Sequence, residues 1–399
     1  MRWLVLRRLA SLRQGRLIVV DAEGHKSFGD SVAGVADLEL YVHDARFYRR
    51  LAFGGSLGAA EAYFLGYWDS SDLVELVRLF YRNTAIAAGL KGGIPRLTEA
   101  SKTIAHRFRN NSLTGSRRNI AAHYDLGDDF FALFLDETMA YSCGIFPHPQ
   151  STLREASRAK FARVCRKLQL CEDDEVLEIG SGWGGFALYA AQNHGCRMTT
   201  TTISKRQYEF TVRRVEAEGL TKRVTVLCQD YRKVTGRFDK LVSIEMIEAV
   251  GHEYLDAYFK TCSSLLKPSG RMLVQAITIP DQQYDRYRRS VDFIRRYVFP
   301  GGCLPSVGAI CLSLGRVTDM RPVHLEDFAA HYAKTLAHWR QRFDANREKI
   351  RALGFNEEFL RLWEFYFCSC EAGFRERAIG DVQMLLCKPQ CGRETVADC

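Results

Sequence analysis

The stretch VLEIGSGWGG, residues 176–185, sets Gly180, Gly182, Gly184 and Gly185 behind an apolar run whose one inner acid is Glu178. Glycine reaches positive φ and lets backbone come close to a ligand, and a helix starting at such a loop offers unpaired N–H groups. Gly180, Gly182 and Gly185 also satisfy G-x-G-x-x-G, so a dinucleotide site has to be weighed. That pattern expects an acid near the end of the following strand to bind ribose, whereas TTTTISKRQ ends in Thr, Ser and Gln. Glu178 can instead meet a cationic ligand or order the loop. Other chemistry is thin: the histidines form no triad, and no serine sits in a nucleophile-elbow pattern. Cys368, Cys370, Cys387 and Cys391 lack a common zinc spacing, so no metal is expected.

The elements that must hold this loop are legible as alternation. VLEIG, RMTTTTI, VTVLC, KLVSIE and RMLVQAI alternate with helical segments such as GGFALYAAQNH and QYEFTVRRVEAEG. Strands apolar on both faces, separated by helices, imply a mostly parallel sheet covered on each side, an α/β architecture in which ligands bind beyond the carboxyl ends of the strands. VTDMRPVHL and VQMLLC add two strands around a long helical span, 356–377. Ahead of this, RLIVVD and LELYVHD mix with AAEAYFLGYW and DLVELVRLFY, suggesting a small α+β domain over 1–84. A glycine-, proline- and cation-bearing linker is expected over 85–118, and the large domain over 119–399.

The chain has 399 residues, 47% apolar and 26% charged, with a formal charge of +9. These are globular values, and no apolar run approaches the ~18 residues that cross a bilayer. The positive balance favours an anionic partner: nucleic acid, phospholipid headgroups or an acidic metabolite. Cations cluster between Lys91 and Tyr124, and again as Arg286, Arg288, Arg289, Arg295 and Arg296 among Tyr284, Tyr287, Phe293 and Tyr297, a mixture suited to a membrane surface. No reading helix, RNP-like strand or zinc module argues for nucleic acid. All thirteen cysteines lie from Cys143 onward behind a start without a cleavable leader, and read as reduced cytosolic thiols.

EIGSGWGG matches the acid-then-GxGxG motif of the class I S-adenosylmethionine-dependent methyltransferases, which the large domain therefore resembles. HYDLGDDFFALFLDETMAYSCGIF, TISKRQ, QDYR, MIEAVGHEYLDAYF and DFIRRYVFPGGCLPS together resemble, more narrowly, the cyclopropane-fatty-acyl-phospholipid synthase family from residue 119 onward. FGGSLGAAEAYFLGYWDSSDL resembles the accessory domain of its full-length members, taken to serve lipid binding or dimerisation. The resemblance implies a Rossmann-like, seven-stranded catalytic domain, a homodimer, and action on unsaturated phospholipid acyl chains from the cytoplasmic side, peripheral to the membrane. It implies S-adenosylmethionine held by Tyr141 and Ser142, by Glu178, Gly180, Gly182 and Gly184, by Thr202 to Gln207 around the ribose, and by Asp230 and Tyr231 near adenine.

An isolated cis double bond is a weak nucleophile with no proton to remove beforehand. The alkene must therefore attack the sulfonium methyl first, and a base must then take a methyl proton from the resulting carbocation so that a ring closes. Water would capture that cation and has to be kept out. Aromatic faces can stabilise it, and the chain has 24 Phe and 17 Tyr. The resemblance implies that the base is bound bicarbonate, held by Cys143, Glu248, Gln275, the backbone of Ile277, and Tyr332. Glu248 beside an anion is repulsive unless protonated or bridged by donors. Gln275 departs from the His of many members and cannot become cationic; loss of the proton from a neighbouring carbon would leave a methylene branch in place of a ring. Cys370 matches a cysteine once regarded as a catalytic thiol, but no step needs a thiolate. A related methyltransferase making methyl-branched or methylene lipids, or methylating a small amine, is the alternative; a non-catalytic basic module leaves the glycine loop unexplained.

Overall fold

In a computed structural model that describes residues 1–31, 36–83 and 126–392, the run GRLIVVD becomes strand β1 (Gly15–Asp21), with Leu17 and Val19 turned into a core. It pairs antiparallel with β2 (Gly24–Asp30) and parallel with β3 (Leu38–Val42), which pairs antiparallel with β4 (Trp68–Ser70). Helices Arg46–Phe64 and Leu73–Arg82 pack with this sheet, and Asp72 caps the second by accepting from Glu75 N–H at 2.9 Å.

A third helix, Glu357–Arg375, belongs to the same unit, contrary to the expected division at 119. Its Phe365, Cys368 and Ala372 are buried in one apolar cluster with Leu17, Leu40, Tyr63 and Trp68. Arg361 fixes it there: the guanidinium donates to Tyr63 O at 2.7 Å, Trp68 O at 2.9 Å and Asp69 Oδ1 at 2.8 Å, and lies over the Tyr63 ring. Described residues 1–31, 36–83, 289–298 and 336–378 thus form one unit, and 126–288, 299–335 and 379–392 the other.

The second unit is built on seven strands: β5 (Glu175–Ile179), β6 (Arg197–Thr202), β7 (Val224–Cys228), β8 (Phe238–Ile244), β9 (Leu266–Thr278), β10 (Arg321–Asp327) and β11 (Gly380–Cys387), in the order β10-β11-β9-β8-β5-β6-β7. Pairings among β5 to β9 are parallel; β11 joins β9 and β10 antiparallel. The chain runs from β5 outward to β6 and β7, then returns to β8 on the other side of β5, so the order reverses at β5. Strand β10 begins later than VTDMRPVHL suggests, because the helix Val307–Val317 consumes Val317.

Alternation assigns the two faces. Met272, Val274 and Ala276 of β9 and Val382, Met384 and Leu386 of β11 pack with helices Leu255–Leu265 and Val307–Val317. Leu273 and Leu385 face the opposite way, onto helices Leu153–Leu168 and Gly185–His194. The intervening Gln275, Asp381 and Gln383 share that second face, where an apolar layer alone would have served.

The expected linker 85–118, the whole of the first basic cluster and His123 lie outside the described residues. In the second cluster Arg295 is buried and donates to Ser290 O, while Arg288 pairs with Asp285 at 2.8 Å, so these two cations already have protein partners. Among the described residues no helix is long and apolar enough to cross a membrane, and the twelve described cysteines are unpaired thiols.

Arg361→Ala is expected to cost about 2 kcal/mol, since two backbone carbonyls and a carboxylate lose a charged donor. Arg361→Lys should recover less than half of it, because an ammonium cannot span the fork. Urea unfolding checks both; equal stability of Ala and Lys variants would sink the assignment.

Candidate active site

The glycine loop leaves β5 at its carboxyl end, where the order reverses. Gly180 has φ +96° and Gly182 φ +50°, and helix Gly185–His194 follows at once. A Cβ built on Gly182 would meet nothing within 4 Å, so this turn faces open space. Glu178 stays inside the sheet, 3% exposed, accepting from Thr200 Oγ1 at 2.6 Å.

Of the other expected S-adenosylmethionine residues, Thr202, Gln207, Asp230 and Tyr231 lie at or just past the carboxyl ends of β6 and β7, whereas Tyr141 and Ser142 lie between two helices ahead of the sheet. After β6, Thr202 Oγ1 donates to Gln207 Oε1 at 2.9 Å, and Ser204 caps the helix Lys205–Ala217. After β7, Asp230 accepts from the Arg232 guanidinium, and the Tyr231 ring meets Tyr258 at 5.6 Å. Tyr141 stands among Phe131, Phe134 and Phe299, with centroids 5.3, 6.0 and 6.2 Å away. Ser142 Oγ accepts from Lys160, a fully buried lysine.

Next to Ser142 lies the polar cluster of the second unit, and its centre is a residue the sequence reading did not single out. Glu245 follows β8 with φ +48°, a conformation that non-glycine residues seldom adopt. Its Oε1 accepts from Cys143 N–H at 2.8 Å and from Gln275 Nε2 at 2.7 Å; its Oε2 accepts from the Tyr332 hydroxyl at 2.6 Å. Three groups expected to hold an inorganic anion thus converge on a carboxylate of the chain itself. The remaining two pair with each other: Ile277 N–H donates to Glu248 Oε1 at 2.5 Å, and Glu248 Oε2 is buried without a partner.

The donors are aimed by a directional relay. Lys167, 1% exposed, can only donate, and does so to Gln383 Oε1 at 2.8 Å and Glu326 Oε2 at 2.7 Å. Gln383 must then present its Nε2, which reaches Gln275 Oε1 at 3.1 Å. Gln275 in turn presents its own Nε2 to Glu245 and to Asp381 Oδ2, the latter at 3.2 Å. Lys160 and Lys167 come from the helix Leu153–Leu168, opened by a Thr152–Glu155 capping box, whose buried stripe also holds Ala156, Phe161 and Val164.

Three carboxyls therefore crowd one dry region. Burial, and then the charge of Glu245, push Glu248 up to about 8. Burial, with Glu245 and Glu248 nearby, holds Asp381 well above the usual carboxylate range. Burial also raises Glu245, but Lys160 and its three donors oppose this, so Glu245 is the member of the trio best equipped to carry the charge. Burial lowers Lys160, with Glu245 the strongest opposing influence. A free inorganic anion does not fit among these residues: its donors are occupied by Glu245, and two more acids adjoin. Bicarbonate is accordingly not carried over as the base.

Cys143 itself is fully buried, and burial pushes its thiol well above the normal range. Cys370 belongs to the first unit, on the helix Glu357–Arg375, where burial likewise raises its thiol. Neither is placed as a ready thiolate. Among the described residues no group of three or more His, Cys, Asp or Glu is arranged to hold a metal ion.

Glu248 has a testable signature. Its native pKa lies above the ordinary 4.5, so between about 4.5 and 8 the folded chain keeps a proton that the unfolded chain has released. That contribution to stability falls as pH rises through this window. Glu248→Gln should match the parent in thermal unfolding near pH 5 and exceed it near pH 9; a pH-independent difference between the two would refute the buried, raised carboxyl.

Comparison with known proteins fits this architecture. The family model described as mycolic acid cyclopropane synthetase matches residues 111–384. A tuberculostearic acid methyltransferase of Mycobacterium tuberculosis is 38% identical over 387 residues, covering 93% of this chain and 87% of the relative. The cyclopropane-fatty-acyl-phospholipid synthase of Escherichia coli is 36% identical over 354 residues, 88% of each chain. Among solved structures, a mycolic acid cyclopropane synthase complexed with SAH and CTAB is 32% identical, with a TM-score of 0.64, over 68% of this chain and 98% of that one. With the sheet order, the glycine loop and these matches in agreement, the chain belongs to the mycolic acid cyclopropane synthetase family and is an S-adenosylmethionine-dependent methyltransferase of the class I fold that modifies lipids.

Proposed function

We propose that this enzyme adds a methylene unit from S-adenosylmethionine across the cis double bond of an unsaturated acyl chain in a membrane phospholipid, giving a cyclopropane. The observation that carries the reading is the buried acid cluster around Glu245, linked through the short segment Tyr141–Ser142–Cys143 to the aromatic group of Phe131, Phe134 and Phe299, and through Met246 to the glycine loop. S-adenosylmethionine supplies an electrophilic methyl group. The open turn at Gly182, with Glu178, Gly180, Gly184, Thr202, Gln207, Asp230, Tyr231, Tyr141 and Ser142, is suited to hold it. Aromatic faces favour the cation that develops on the acyl chain, and buried surroundings spare it from water. A proton must still leave, and the dry carboxyl cluster is where one can go.

A methylene or methyl branch is the second reading. It is favoured by Gln275, whose amide cannot become cationic, and by the name of the 38%-identical relative, a tuberculostearic acid methyltransferase. We further propose that the enzyme is a homodimer acting peripherally at the inner face of the membrane, with no nucleic-acid partner.

Purified protein incubated with S-adenosylmethionine and unsaturated phosphatidylethanolamine vesicles should add one methylene unit per reacting acyl chain, with gas chromatography distinguishing ring from branch. Gain of mass on small amines but not on vesicles would overturn the reading. Gly182→Ala is expected to weaken S-adenosylmethionine binding at least tenfold while costing about 1 kcal/mol of stability. Gly184→Ala should mainly destabilise, because its Cβ would lie 2.7 Å from Thr211 Cγ2. Unchanged affinity in Gly182→Ala, by calorimetry, would place the ligand elsewhere.

A further inference from the structure

Resting on the lipid-alkene reading above, we infer that Glu245 is itself the base of the reaction, a side-chain carboxylate standing where a bound inorganic anion was expected. Its two oxygens take up the Cys143 N–H, the Gln275 amide and the Tyr332 hydroxyl at 2.8, 2.7 and 2.6 Å. A small planar oxyanion would need these same donors, so carboxylate and free anion exclude one another. The relay from Lys167 through Gln383 fixes Gln275 with its N–H groups outward, so the pocket is committed to an acceptor at this point.

Position agrees with the role. Glu245 follows β8 directly, and Met246, the next residue, lies against the glycine loop, its Cγ 3.2 Å from where a Cβ on Gly180 would stand. Cys143 immediately follows Tyr141 and Ser142 in the chain, so one short segment carries both a ring of the Phe131, Phe134 and Phe299 group and the N–H that Glu245 accepts. The left-handed backbone at Glu245, φ +48°, turns the residue out of the strand's alternation at the carboxyl end of the sheet. Strain of this kind persists where surroundings over-determine it and is common at working sites.

The step balances without another reagent. The alkene π pair forms a C–C bond to the sulfonium methyl as the C–S pair stays on sulfur, leaving S-adenosylhomocysteine and a carbocation on the acyl chain. One C–H bond of the new methyl breaks; its proton passes to a Glu245 oxygen, and its electron pair makes the second ring bond. Glu245 ends neutral, its charge lost as that of the carbocation is lost, and the proton later returns to solvent.

The test has a binding arm and a turnover arm. In the first, 13C-labelled bicarbonate is titrated into the parent and into Glu245→Ala and observed by NMR. The parent is expected to show no bound signal, and Glu245→Ala, with its donors vacated, to show one. In the second, product formation on unsaturated phospholipid vesicles is followed in CO2-depleted buffer. The parent should lose less than twofold in rate, Glu245→Gln should lose at least a hundredfold, and Glu245→Ala should be inactive until bicarbonate or formate is added. Bound bicarbonate in the parent, or a parent rate that collapses without bicarbonate and returns with it, would overturn the inference even if every variant failed to fold. A parent that forms no lipid product under any condition defeats the lipid reading and the assigned step with it, whereas the binding arm still decides whether the side chain excludes the anion.

Discussion

A carboxylate taken out of water has to be given back its hydrogen bonds, and in this protein the one that matters most is Glu245. An unpaired buried charge would cost several kcal/mol, and the surrounding residues can be understood as the compensation. A backbone N–H, an amide and a phenol surround it, and Lys160 supplies the opposite charge. The sheet face toward the helix Leu153–Leu168 gives up part of its apolar layer for Gln275, Asp381 and Gln383, and that helix gives up part of its apolar stripe for two lysines. Such a network is stabilising only when its members are satisfied together, which ties β8, β9, β11 and the helix to one another more specifically than packing alone could.

The glycine loop and the acid cluster are two halves of one topological fact. Because the strand order reverses at β5, the loops after β5 and β8 diverge to opposite helical layers and leave a crevice between them. The loop after β5 opens onto space at Gly182, while the residue after β8 is Glu245. The open turn and the buried carboxyl thereby stand at the ends of adjacent strands, without either having to be built on a long segment.

Much of this was legible beforehand. Period and composition placed the seven strands of the large sheet to within about five residues, and EIGSGWGG marked the open glycine turn after β5, because both are local properties of the chain. Local signals could not say where the apolar face of Glu357–Arg375 would find its partners, so the boundary between the units was misplaced. Nor could the resemblance say that Glu245 would stand among the expected anion-binding groups. A signal did exist: Lys160 and Lys167 fall on the buried register of an amphipathic helix, and Asp381 and Gln383 interrupt an otherwise apolar strand at alternate positions. Charged or amide residues at core positions need partners, and pairing these with the acid of SIEM would have pointed to the cluster. Which residues meet across β9 and β11 depends on register, which only the folded sheet supplies.

Gln275 carries one more implication. An imidazole at this position would gain and lose a proton close to neutrality, and the groups around it would feel that change. An amide has nothing to titrate, and its orientation is set by Gln383 on the neighbouring strand and, through it, by Lys167 of the helix on the same sheet face. The donor that Gln275 offers to Glu245 is therefore the same in an acidified cell as in an alkaline one, and what titrates in this cluster is left to its carboxyls and to Lys160.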